Sequence, residues 1–268
     1  MISSAPTSRR NLLKWSAAGA TALAVAPNAP LLARTGHYPP DVGSKFEADG
    51  RVRPFAGNTV VCHLPQQGEH AAAFDAMLDI YREAPSHRFM RKVALLPPSS
   101  YHMTVMGGAN DKPRLQSSWP SDLPLDLPIS DCNKILADRL RNYDPGLDLP
   151  IRMKIDPEQR PENGKALIFL LQPADDGEAA KLANLREQLA NIFKIRPSNF
   201  GAYRFHISLG YSLRWFDAAE ERERAQVWSR WANQIADKAP IISFGAPEYC
   251  TFKDMYAFHR EFFLGKPA

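Results

Sequence analysis

Cysteine is scarce in this chain: Cys62, Cys132 and Cys250 are the only three in 268 residues. At most one pair can bridge, so a disulfide framework is excluded, and buried free thiols are the simplest reading. No Cys-x-x-Cys or His-x-x-x-His spacing occurs, which argues against a structural zinc site. A Gly-x-Ser-x-Gly elbow is missing, so the usual acyl-transfer serine has no seat. No segment offers the roughly 20 strongly apolar residues that a membrane span needs. Net charge is also lacking. Residues 1–33 carry Arg9, Arg10 and Lys14 and no acid, and the rest holds thirty basic against twenty-nine acidic residues. Broad capture of long nucleic acid needs a basic face, of which this balance gives no sign. A local cationic pocket remains open.

The N-terminus reads as an address. Ser8-Arg9-Arg10-Asn11-Leu12-Leu13-Lys14 is a twin arginine followed by a mild Ala/Gly-rich apolar run to Ala26. That order is a bacterial Tat-type export signal, which makes the Tat export machinery a partner. Ala33, after Leu31-Leu32, is the expected cleavage position, with Ala26 the alternative. The mature protein is expected to be periplasmic or secreted, without a stable membrane span, and monomeric.

About 235 residues remain, enough for one sizeable domain or two small lobes. Residues 34–57 mix Gly, Pro and charge and read as an extended arm or linker before a domain over 58–268. Apolar spacing predicts helices near 70–83, from Ser130 to about Asn142, over 176–193 and over 217–237. Trp228 and Trp231, on the last of these, read as core. Strand patterns lie at 58–64, 93–96, 101–106, 151–155, 166–171, 205–211, 241–244, 249–252 and 256–262, with a loop at Gly107–Asp111. Strands and helices alternate, yet hairpin-like returns near 93–106 and 241–262 argue for antiparallel sheets, hence an α+β fold.

Two short strings carry the chemistry. Tyr101-His102-Met103-Thr104-Val105 and Phe205-His206-Ile207-Ser208-Leu209 each place His, one apolar residue, then a hydroxyl residue in a strand-like stretch. The other five histidines lack this pattern. On a strand alternate side chains share a face, so His102 sits with Thr104 and His206 with Ser208, while the intervening apolar residues face a core. Across a cleft, two imidazoles and two hydroxyls would converge on one point.

This pattern resembles the two-histidine (2H) phosphoesterase superfamily, which includes RNA ligase-like cyclic phosphodiesterases and 2′-5′ oligonucleotide hydrolases. The strings look most like a poorly characterised bacterial and fungal branch, and the resemblance covers roughly Asn58 to the C-terminus. It implies two pseudo-duplicated lobes, each an antiparallel sheet with outer helices, facing across a central cleft with one motif on each. Two features depart from the pattern. Gly210-Tyr211 stands where many members carry an Arg, and Met106-Gly107-Gly108 follows the first motif. Both leave the quartet whole.

The expected activity is metal-independent hydrolysis of a small nucleotide-like or oligonucleotide phosphoester, of the 2′,3′-cyclic phosphate or 2′-5′ type. His102 and His206 serve as general acid and base, because imidazole titrates near neutrality. Thr104 and Ser208 donate to phosphate oxygens. No cofactor motif is present. Tyr101, Arg204 and Tyr211 are candidate substrate contacts, and Asn110, Asp111 and Lys112 are candidates for the cleft mouth. A metal-dependent hydrolase using both histidines is the rival reading, but no acid lies within five positions of either histidine to complete its ligand set. A non-catalytic nucleotide- or partner-binding protein on the same fold is the other.

Overall fold

The computed structural model describes residues 36–156, 159 and 162–265; the export signal and its cleavage position lie outside them. Tyr38–Ala268 form one compact unit. In chain order its main elements are β1 (Gly57–His63), α1 (Ala72–Glu83), β2 (Val93–Leu95), β3 (His102–Asn110), α2 (Ile129–Leu140), β4 (Ile151–Ile155), β5 (Ala166–Pro173), α3 (Asp176–Phe193), β6 (His206–Ser212), α4 (Ala218–Lys238), β7 (Ile242–Phe244), β8 (Glu248–Phe252) and β9 (Phe258–Phe263).

The strands form one antiparallel sheet in the order β7-β4-β5-β6-β3-β1-β8-β9, with β2 on β6. The α+β class, the antiparallel pairing and the outer helices are as expected. The two halves of the sheet meet where the motif strands adjoin, through the single registered pair Met103↔Ile207. Each half recruits strands from distant sequence. The C-terminal β8 pairs with β1, and β2 pairs with β6. The expected return between β2 and β3 is therefore not a hairpin. Both lie along the edge of β6 that β5 leaves open, β3 at Ile207 and β2 at residues 210–212. Within 241–262 only β8 and β9 pair; β7 adds to β4.

Local chemistry accounts for the helices. Asp217 accepts from the amides of Ala219 and Glu220, and Glu220 returns a bond to the Asp217 amide, closing a capping box on α4. Asp175 caps α3, which ends at Lys194 in the left-handed region with φ 56°. α2 starts at Ile129, behind Pro128, rather than on a Ser130 cap, and no side chain caps it. Helices α2, α3 and α4 cover one face of the sheet. Trp228 of α4 stacks on Phe169 of β5 at 4.4 Å. On the same side, the Tyr249 hydroxyl of β8 donates to the Asn133 carbonyl in α2. Met103, Val105, Ile207 and Leu209 are buried in the core, and Trp228 and Trp231 are core residues, as expected.

Residues 38–57 are not a free linker. Phe46 is completely buried and packs at a tilt against Tyr211, ring centroids 5.1 Å apart. Short bridges join Phe46 to Val42 and Val52, and the Phe55 amide donates to the Lys253 carbonyl. A segment without strand or helix periodicity is here held by two buried aromatics, Phe46 and Phe55, and by backbone bonds. All three cysteines are buried and unbridged.

Candidate active site

The face of the sheet opposite α2, α3 and α4 carries the motif residues. His102, Thr104, His206 and Ser208 line one cavity of about 240 Å³, together with Lys45, Asn58, Thr59, Gly107, Gly108, Asn110 and Tyr211. Its remaining wall is apolar: Phe55, Leu96, Phe252, Met255 and Phe258. Sequence spacing brings each His beside its own hydroxyl; the β3–β6 junction brings the two pairs together.

Both imidazoles are held in the same way. His102 Nδ1 lies 2.6 Å from the Ser100 carbonyl and His206 Nδ1 lies 2.9 Å from the Arg204 carbonyl, in each case two residues back. A carbonyl only accepts, so each Nδ1 carries the proton and each Nε2 is left as the proton acceptor. Burial in the cavity disfavours the imidazolium form. It pushes His102 down to about 3, against the hydrogen bond to Ser100, with His63 and His206 adding repulsion. His206 is likewise lowered, by burial first and then by Lys45, against its bond to Arg204.

Lys45 supplies the cavity's cation. Its Nζ lies 2.9 Å from Asp41 Oδ1 and 4.7 Å from the centroid of the Tyr211 ring. Burial works against its charge, but Tyr211 and Asp41 outweigh burial and raise it above the ordinary lysine value. Sequence reasoning passed over Lys45 because it sits in the aperiodic arm. The neighbouring Phe46, an aromatic among Gly, Pro and charge, was the nearest available signal.

Irregular pairing decides which other side chains reach the cavity. Strict alternation from His206 would turn Tyr211 away. Between the pairs Ile168↔Ser208 and Leu167↔Gly210, however, β6 carries one residue more than β5, and Tyr211, opposite Ala166, returns to the His206 face. The same happens on β3, where Thr104 faces Val61 and Met106 faces Val60, leaving Val105 extra. Gly107 thereby joins the face of His102 and Thr104. The strand runs through the expected loop as far as Asn110, and Asn110 lines the cavity. Asp111 instead pairs with Arg114. The structure gives Lys112 no place in the lining.

The other candidate contacts separate. Tyr101 is 1% exposed and packed in the core, its hydroxyl without a partner among the described residues. Arg204 is 63% exposed along its side chain, pairs with Asp156 at 2.8 Å, and lies on a neighbouring cavity rather than this one. Behind the motif strands, buried Arg186 of α3 donates to the carbonyls of Val105 and Phe200 and stacks 4.2 Å from the Tyr203 centroid. The Tyr203 hydroxyl donates to the Thr104 carbonyl at 3.2 Å. This knot ties the first motif strand to the approach of the second, which the sheet joins by one pair alone.

Among the described residues one group of potential metal-binding side chains lies close together, His63, Glu248 and Cys250, with ligand atoms within 4.8 Å. It contains neither motif histidine. Glu248 already accepts from His63 at 2.9 Å, and Arg260 stands 3.5 Å away. No helix among the described residues is long and apolar enough to cross a membrane.

Residues 45–165 match a family described as 2H-phosphodiest, a domain of unknown function (DUF1868). That stretch contains Lys45, His102 and Thr104; His206 and Ser208 lie beyond it. Residues 6–26 match the twin-arginine translocation signal sequence. Among solved structures, a conserved protein of unknown function from Agrobacterium tumefaciens str. C58 is 27% identical, with TM-score 0.77 over 88% of this chain and 96% of that one. A structure described as a phosphoesterase is 12% identical with TM-score 0.39, over 80% of this chain and 100% of that one. Apo LigT of E. coli is 14% identical with TM-score 0.32, over 60% and 75%. No curated protein matches. Over residues 45–165 the chain is thus similar to the two-histidine phosphodiesterase domain of the DUF1868 description, and its leader is a twin-arginine export signal.

Proposed function

We propose that the mature protein is a phosphodiesterase that hydrolyses a small nucleotide-like phosphoester by two-histidine acid–base catalysis. One observation carries this reading. Two imidazoles with identical Nδ1–H ties, two hydroxyls and one held ammonium line a single cavity. One Nε2 takes a proton from the attacking water while the other, protonated, gives one to the departing oxygen. Thr104, Ser208 and Lys45 meet the equatorial phosphate oxygens as charge moves onto them. The step uses only groups of this chain, so the reaction is proposed to need no metal. The aromatic wall of Phe55, Phe252 and Phe258 offers a planar or apolar organic group a place beside the phosphate.

Turnover of 2′,3′-cyclic nucleotides and short 2′-5′ and 3′-5′ oligonucleotides, with EDTA present, tests the proposal. Hydrolysis is expected to survive chelation, and His102→Ala and His206→Ala are each expected to lower kcat by about 10²–10⁴ while remaining folded. Turnover within a few-fold of the unaltered protein for either variant would sink the quartet. Specific binding of these ligands without any turnover would favour the non-catalytic alternative.

A further inference from the structure

A second cavity, of about 300 Å³, adjoins the first at His206. His206 lines both. The sheet register explains why. Leu170, Ile168 and Ala166 of β5 stand opposite His206, Ser208 and Tyr211 of β6 and so share their face. All three line the second cavity, whereas the first extends the other way, over β3, β1, β8 and β9. Strand β6 is the divide between two compartments of one sheet face. The second compartment has an apolar floor of Ile168 and Leu170, with Tyr203, Asn199, Lys165 and Arg204 around it. That lining suits an organic group with a flat ring and several hydroxyl or amide functions, such as a nucleoside.

We propose that this cavity is a leaving-group subsite and that the preferred substrate is a linear phosphodiester with two organic arms, one on each side of β6. This rests on the phosphodiesterase reading given above. A 2′,3′-cyclic phosphate keeps its leaving oxygen on the sugar that already occupies one compartment, and leaves the other without a role. With two arms, the leaving oxygen lies on the β5 side of the phosphorus, next to His206, and in-line attack comes from the His102 side. His102 Nε2 takes a proton from water as the water oxygen bonds to phosphorus. The bond to the leaving oxygen breaks, and protonated His206 gives its proton to that oxygen. The products are one phosphomonoester and one alcohol.

The test compares three esters of one nucleotide that share the arm for the first cavity: the methyl ester, the ester of a second nucleoside, and the 2′,3′-cyclic phosphate. The nucleoside ester is expected to exceed the methyl ester in kcat/KM by at least about tenfold, because binding of a remote arm is realised in the transition state. Filling the floor with Ile168→Trp is expected to bring that ratio to within about twofold. Should Ile168→Trp not fold, Ala166→Met serves the same purpose. A ratio near one in the unaltered protein, or one unchanged in the filled variant, overturns the subsite. Turnover of the cyclic ester with none of either linear ester overturns the subsite and leaves the phosphodiesterase reading standing; silence toward all three overturns both.

Discussion

Burial controls the protonation of both motif histidines. His102, held near 3, and His206, lowered by burial and by Lys45, are both neutral near neutral pH. Acid–base catalysis needs one of them charged. In the free protein, kcat/KM is therefore expected to fall as pH rises through the depressed pKa of the acid, placing the optimum on the acid side. A bound phosphoester anion favours imidazolium and raises that pKa. The basic limb of kcat is then expected at higher pH than that of kcat/KM, which parallel pH–rate profiles would measure; coincident limbs would contradict this account. Lys45→Met removes a cation that faces the same cavity. It is expected to weaken inorganic phosphate binding about tenfold or more and to move the His206 titration upward, both readable by histidine NMR.

At the scale of the element, three inserted residues shape the cavity, two on β3 and one on β6. They put Gly107 and Tyr211 on the motif face, where straight strands would present their neighbours, and the second on β3 returns Asn110 to it. The paired glycines after the first motif then part ways. A Cβ on Gly108 would lie 1.8 Å from Asn58 Oδ1 and 2.8 Å from the Asn58 carbonyl. That same Oδ1 accepts from the Ala109 amide. Gly108→Ala is expected to cost about 1–3 kcal/mol, since β1 must shift and a buried bond is lost. A Cβ on Gly107 meets nothing within 4 Å, so Gly107→Ala is expected to keep the melting temperature while its methyl enters the cavity. Denaturant melts of the two variants check the contrast. On α4, Asp217→Ala opens the capping box and is expected to cost about 1 kcal/mol.

For the whole molecule, the arm is part of the fold and of the site. A chain beginning at Tyr38 is expected to fold cooperatively. One beginning at Asn58 loses Phe46 from the core and Lys45 from the cavity, and is expected to fail to fold or to melt far lower; equal melting temperatures would contradict the packing seen here. The three thiols report on the same integrity. Burial pushes Cys132 up to about 11 and raises Cys62 and Cys250 further. Since the thiolate is the reactive form, all three are expected to resist alkylation until the protein unfolds, and then to react together.

Local patterning alone determined much of this protein. Period-2 alternation around His102 and His206 settles which side chains share a face, and 3.6-residue spacing over 217–237 marks α4 closely, because both signals arise within a few residues of chain. The two His–hydroxyl pairs and the α+β class were legible for that reason, as was the export signal, which is read as a linear string. Long-range pairing decided the rest. Nothing near Val93 says that β2 will pair with residues 210–212 of β6, and nothing near Lys45 says that its ammonium will meet Tyr211. The inserted residues that return Tyr211 to the motif face exist only relative to a partner strand. Tyr101, beside the first motif in sequence, lies in the core for the same geometric reason that His102 does not: successive residues of an extended chain face opposite ways. The division of the sheet face at His206 belongs to the assembled sheet, because it requires β5, β6 and β3 side by side.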